Sequence, residues 1–283
     1  MGDQMRAACQ GTFKNVDFTI MAQGIAQAAK LCDVVGYELT IRPAGGGSAS
    51  EVIELAVDHQ ERVDLDIAVF QTVRSFEKYR DYIPPRNLWI NLFPTTLTSS
   101  SAMALICGVI SRAKHRIVVE ITENEVVTDY KQLYRSVCML KQAGAAVVVD
   151  DFGAGAATIK TLMELPVDGI KLDLAVFQQA AQDPRYVPLV SGLVDTAAKL
   201  RIPVVAEGIE TLQHLRVAQQ LGVNYVQGFY VHKPEQFAYV SGGGIVRPGI
   251  TQGREKHQVR EVTDNERKAI GAPASKSDCR LRA

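Results

Sequence analysis

The chain has no excess of charge of either sign: 31 lysines and arginines stand against 31 aspartates and glutamates in 283 residues. It therefore lacks the electrostatic footprint by which nucleic acid or an anionic membrane is held, so no DNA partner is expected and the partner should be small. There is no CxxC pair, and the five cysteines, Cys9, Cys32, Cys107, Cys138 and Cys279, are odd in number and scattered. This argues against a disulfide framework and a zinc site, and fits a reducing cytoplasm. No apolar run approaches the roughly 18 residues needed to span a bilayer, and MGDQMRAACQGT has no apolar core of a secretory signal. No internal repeat is evident, and a soluble protein without a membrane span is expected.

What is present is a rhythm. Apolar residues make up 47% of the chain, enough for a sizeable core. Short β-branched runs recur as DFTIMAQ, DVVGYELTIR, NLWINLF, RIVVEIT, AAVVVDD, GIKLD, IPVVAEG and VNYVQGFYV. Helically periodic stretches such as TDYKQLYRSVCMLKQAG and ETLQHLRVAQQLG lie between most of them. About eight strands alternating with helices predict an α/β fold, a (β/α)8 TIM-like barrel, over residues 16–240. A doubly wound open sheet is the alternative, but DFTIMAQGIAQAA has one glycine where that fold usually carries a Gly-rich phosphate turn. Residues 1–15 form an N-terminal extension. Residues 241–283, rich in Gly, Ser and charge with no apolar period, read as a flexible tail.

Nearly every strand carries a charged or amide residue at its C-terminal end: Glu38, Asn91, Glu120, Asp150 with Asp151, Lys171 with Asp173, Glu207 and Gln227. A barrel brings all strand ends to one rim, where so many carboxylates would repel unless cations sat among them. Oxygen ligands without histidine or thiolate favour Mg²⁺ or Mn²⁺. Adjacent aspartates suit a pair of ions roughly 3.5–4 Å apart, an arrangement that activates water for attack at phosphorus. Taken singly, these residues have plainer readings: Asp150 as a helix cap, Glu210 as a first-turn acid, Lys171 as a rim lysine. Their recurrence at the same end of successive strands is what those readings leave unexplained.

At this point the stretches VVVDDFGAGAATIKTLMELPVDGIKLD and VVAEGIETLQHLRVAQQLGVNYVQGFYVHKP resemble the EAL-domain family, the cyclic-di-GMP phosphodiesterases of bacterial signalling. The resemblance covers about residues 16–240. The signature appears as Glu38-Leu39-Thr40-Ile41-Arg42, followed by Asn91 in WINLFP, Glu120 and Glu123 in EITE, Asp150 and Asp151 in DDFG, Lys171 and Asp173 in KLD, Glu207 and Glu210 in EGIE, and Gln227.

The resemblance implies hydrolysis of cyclic-di-GMP to linear pGpG with two ions. Glu38, Asn91, Glu120 and Asp150 would hold one; Asp150, Asp151 and Glu207 the other. Lys171, Glu207 and Glu38 would serve the catalytic step; Arg42, Gln23, Asp173 and Gln227 the substrate. Glu123, Phe152, Gly153 and Glu210 would anchor the loop at 152–157, which couples to a homodimer contact. It also implies an irregular, antiparallel first strand. Members often carry a sensory or cyclase domain; with about 15 residues ahead of its first strand, this chain is expected to be free-standing, and a regulatory protein partner is left unidentified.

Three departures stand out. Thr40 replaces the signature leucine, and Pro43 a frequent tryptophan. Near the first strand, where members often read YQPI, the chain has Ala22-Gln23-Gly24-Ile25, so Gly24 is expected to loosen that corner. A degenerate, non-hydrolytic receptor or protein-binding module is the alternative function these changes keep open.

Overall fold

The computed structural model describes residues 2–77, 79, 86–122, 129–154 and 159–240. Glu123, residues 155–157 of the loop and the expected tail at 241–283 lie outside the described residues. All eight expected runs form strands. After β1 (Gln10–Phe13) come β2 (Val16–Gln27), β3 (Lys30–Pro43), β4 (Asn87–Leu92), β5 (Ile117–Ile121), β6 (Ala146–Phe152), β7 (Gly169–Leu172), β8 (Val204–Ala206) and β9 (Tyr225–Gln227). Strands β2 to β9 pair in chain order and β2 pairs back to β9, closing an eight-stranded barrel surrounded by helices.

Strands β3 to β9 run parallel, whereas β2 is antiparallel to both β3 and β9 and slips register between Ile25 and Gln27. Its length lets one edge take β3 while the other is shared by β1, by β9 and by β10 (Glu235–Gln236). The short parallel strands are buried on both faces, which is why IVVEI and AVVVD read as nearly unbroken apolar runs. Their outward side chains pack beneath helices such as His59–Phe76, whose Asp58 cap accepts from the Glu61 N–H. None of the described helices is long and apolar enough to cross a membrane.

The N-terminal extension contains a helix, Gly2–Ala8, and β1, which hydrogen-bonds along β2. Cys9 lies between them, 1% exposed, and burial pushes its thiol up to about 12. Cys32 is exposed. A thiol reagent at neutral pH should therefore label Cys32 while sparing Cys9, because the thiolate is the reactive form. Equal labelling rates, read by peptide mass mapping, would show that the extension does not pack as described.

Candidate metal centre at the barrel rim

The barrel interior is built in two layers. The lower is apolar: Ile25, Trp89, Val118, Val148 and Val205 form one buried cluster. Gly36 belongs to it by necessity, since a Cβ there would come within 2.5 Å of the Trp89 indole nitrogen. Two residues further along each parallel strand, the same inward face turns polar: Glu38 after Gly36, Asn91 after Trp89, Glu120 after Val118, Asp150 after Val148, Lys171 after Gly169, Glu207 after Val205, Gln227 after Tyr225. On β2, which runs the other way, Gln23 precedes Ile25 instead, and it lies opposite Glu38.

Lys171, 1% exposed, is the hub. Its Nζ lies 2.7 Å from Glu207 Oε1, 3.0 Å from Glu120 Oε1, 3.2 Å from Asp150 Oδ1 and 3.4 Å from Glu38 Oε2. Asn91 Nδ2 donates to Glu38 Oε1 at 3.1 Å, and Gln227 Nε2 donates to Glu38 Oε2. One ammonium thus faces four buried or partly buried carboxylates, and the balance shows in their acidities. Burial opposes ionisation of Glu38, yet Lys171 and the two amide donors hold it below the usual carboxylate range. Burial, with the charges of Glu38 and Asp150, drives Glu120 well above that range. Burial and the same two acids raise Glu207 to about 7. Burial alone would lower Lys171, but the four carboxylates raise it well above normal.

The adjacent aspartates share one site because β6 breaks its own alternation. In a regular strand Asp151 would point away from Asp150, but Asp151 has φ 52° and the register of β6 against β7 slips between Val149 and Phe152. Asp151 N–H donates to Asp150 Oδ1 at 3.0 Å. Carboxylate oxygens of Asp150, Asp151 and Glu207 consequently come within 4.8 Å of one another. A positive φ at a non-glycine residue costs on the order of 1–3 kcal/mol, and here it turns the Asp151 carboxylate toward that of Asp150.

The residues fit a hard divalent ion. Every candidate ligand offers oxygen. Glu120 Oε1 is met by the Lys171 ammonium at 3.0 Å, but Glu120 Oε2 and Gln227 Oε1 are buried without a hydrogen-bond partner. Orphan acceptors facing a polar cluster are costly unless a cation or its water completes them.

Other expected site residues fall differently. Arg42 lies on the inward face of β3 four residues beyond Glu38, partly exposed. Asp173 caps the helix Leu174–Gln182, its Oδ1 accepting from the N–H groups of Ala175 and Val176. Glu210 is exposed, just ahead of the Thr211 cap of the next helix. Phe152 is buried and its carbonyl accepts from Asp173 N–H at 3.2 Å, while Gly153, at φ 103°, sits where a Cβ would meet Val176 at 3.1 Å, so the loop starts firmly seated. Beside the acids, a cavity of about 620 Å³ runs from Asn91, Asp150 and Asp151 past Thr40 to Arg62 and Phe93, with apolar walls from β3, β4 and the helix His59–Phe76.

The corner at Gly24 is not loose. Its N–H donates to His232 Nδ1 at 3.0 Å, and Gln23 Nε2 donates to the His232 carbonyl at 3.0 Å. His232 escapes a sequence reading because its partner is a backbone N–H; the missing proline at 24 was the one available signal.

The family model described as EAL domain matches residues 6–234. The chain is 32% identical over 124 residues to the probable cyclic di-GMP phosphodiesterase PdeG of Escherichia coli, covering 44% of this chain and 24% of that protein. It is 25% identical over 238 residues to the cyclic di-GMP phosphodiesterase PdeB of Shewanella oneidensis, covering 76% and 28%. Among solved structures, a manganese and cyclic-di-GMP complex of Klebsiella pneumoniae BlrP1 superposes with a TM-score of 0.67 at 28% identity, covering 77% of this chain and 56% of that one. The chain spans about a quarter of the length of these two curated relatives.

Proposed function

The chain belongs to the EAL domain family, and from that premise we propose that it is a phosphodiesterase that opens cyclic-di-GMP to linear pGpG with two Mg²⁺ or Mn²⁺ ions. The observation that carries this reading is the complete polar layer: every acid and amide of the two expected ligand sets stands in one cluster around Lys171. Glu38, Asn91, Glu120 and Asp150 would hold one ion; Asp150, Asp151 and Glu207 would hold the second. When bound, the ions lower the pKa of water and neutralise charge gathering at phosphorus.

The protein's own groups do the rest. Lys171, kept protonated by four acids, donates hydrogen bonds toward the attacking water. Glu207, which lies 2.7 Å from Lys171 and shares the site with Asp150 and Asp151, is placed to assist as the base. Arg42 forks onto a substrate phosphate. The adjoining cavity accepts a nucleobase between apolar walls and the Arg62–Phe93 stack, whose cation lies 5.7 Å from the ring centre. One P–O ester bond breaks as water's oxygen joins phosphorus, and the departing ribose oxygen leaves with a proton.

The test is hydrolysis of cyclic-di-GMP by pure protein with Mg²⁺ or Mn²⁺, with pGpG as a comparison substrate; no turnover overturns the proposal. Millimolar Mn²⁺ should also raise the melting temperature, because an ion that binds only the folded site stabilises it by mass action. A flat response would count against the metal site. A receptor without hydrolysis is the second reading, favoured by Thr40, the altered signature residue, lining the cavity. Nucleotide binding without metal and without pGpG release would support it.

A further inference from the structure

Amide side chains are ambiguous by nature, since either end can face a neighbour, and Glu38 depends on two of them. A backbone carbonyl removes the ambiguity, because it can only accept. The His232 carbonyl takes Gln23 Nε2, so Gln23 must present Oε1 to Gln227. That oxygen takes Gln227 Nε2 at 3.1 Å, and the same Nε2 donates to Glu38 Oε2. The remaining Glu38 oxygen receives Asn91. The orientation of the first metal carboxylate is thus set, link by link, from residue 232.

His232 is itself held from both ends. Its Nδ1 accepts the Gly24 N–H, which places the ring proton on Nε2, 3.2 Å from Glu235 Oε1. The ring is 9% exposed and meets Tyr37 edge to face at 6.2 Å. A proline at 24 would have no N–H to give, and even a Cβ there would stand 3.2 Å from the His232 Cβ.

We propose that His232 is a positioning residue for the metal centre: its ring, by accepting the Gly24 N–H, holds the main-chain carbonyl at 232 against the Gln23 amide and so, through Gln227, orients the Glu38 carboxylate. The inference rests on the metal reading above. Partners behind a ligating carboxylate typically change metal affinity by about 10–100-fold when lost.

The experiment measures Mn²⁺ binding to the full chain at pH 7.5 from the free-ion electron paramagnetic resonance signal, with melting curves as a folding control. His232→Ala should raise the Mn²⁺ Kd about tenfold. His232→Asn, whose Oδ1 can accept in place of Nδ1, should recover most of that loss. Gly24→Pro should match His232→Ala, and combining them should add little. Unchanged Mn²⁺ affinity in His232→Ala, or equal weakening by Ala and Asn, overturns the role. Wild-type protein that binds no Mn²⁺ sinks the metal reading and this inference with it. Independently of metal, nitrogen NMR of wild type should show His232 protonated at Nε2; a proton on Nδ1 also overturns the proposal.

Discussion

Asp150→Asn should reduce turnover of cyclic-di-GMP by about 10³-fold or more, a loss on the scale of removing a central electrostatic group from an active site. Asp150 is the one residue assigned to both ion sets. Its Oδ1 lies 3.2 Å from Lys171 and accepts the Asp151 N–H. The amide variant loses the negative charge that draws two cations together. If its amide nitrogen takes the place of Oδ1, a donor is set against the Lys171 ammonium and the Asp151 N–H. Asp173→Asn is the informative contrast. Asp173 spends Oδ1 on two backbone N–H groups of the helix it caps, and asparagine caps about as well. That variant should lose only a few-fold in rate and almost nothing in stability. Equal residual rates at saturating Mn²⁺ would contradict the division of roles.

Lys171→Met should destabilise the metal-free protein by about 3–5 kcal/mol, the usual consequence of leaving buried charges unpartnered. Four carboxylates would then surround a thioether. The cost should grow with pH, and the sign follows from proton counting. Glu207 sits near 7 in the folded chain, against an ordinary 4.5, so the folded state binds the extra proton. Its contribution is present below about 4.5 and is lost as pH rises toward 7. Glu120 shifts in the same direction. Removing Lys171 deletes the one influence that opposes both shifts, so the decline should steepen and extend higher. Urea unfolding at pH 5 and pH 8 measures this, and a deficit equal at both would refute the account. Added Mn²⁺ should restore part of the loss at pH 8, where the acids are free to bind it.

Much of this was legible in the chain. The eight β-branched runs correspond to the barrel strands, and the acids recur at one end of them because a parallel barrel puts those ends together. Even the two layers are written as a spacing of two: Trp89 and Asn91, Val118 and Glu120, Val148 and Asp150, Val205 and Glu207. Other features left no pattern. The reversal of β2 came from family resemblance alone; what the sequence holds is merely Gln23 ahead of Ile25 instead of behind it. The kink at Asp151 is a backbone angle, and aspartate adopts it without a glycine to advertise it. Asp173 shows the converse ambiguity, since an acid at a strand end looks the same whether it meets a substrate or caps the next helix. His232 left only the missing proline at 24 as a trace, because its Nδ1 recognises main chain.

The reversed strand also orders events in time. β2 and β3 are joined by a tight connection, Gln27 to Lys30, and form the one local strand pairing in the barrel wall. Closure is the opposite case: Gln23 and Gln227 meet across 204 residues of chain. Because loop entropy must be overcome before distant contacts return anything, the hairpin should form early and the β2–β9 seam late. Glu38 is carried in the first event but receives its Gln227 hydrogen bond only in the last. A nascent chain would therefore hold its acids apart, with no assembled site to capture an ion, until the barrel wall is complete.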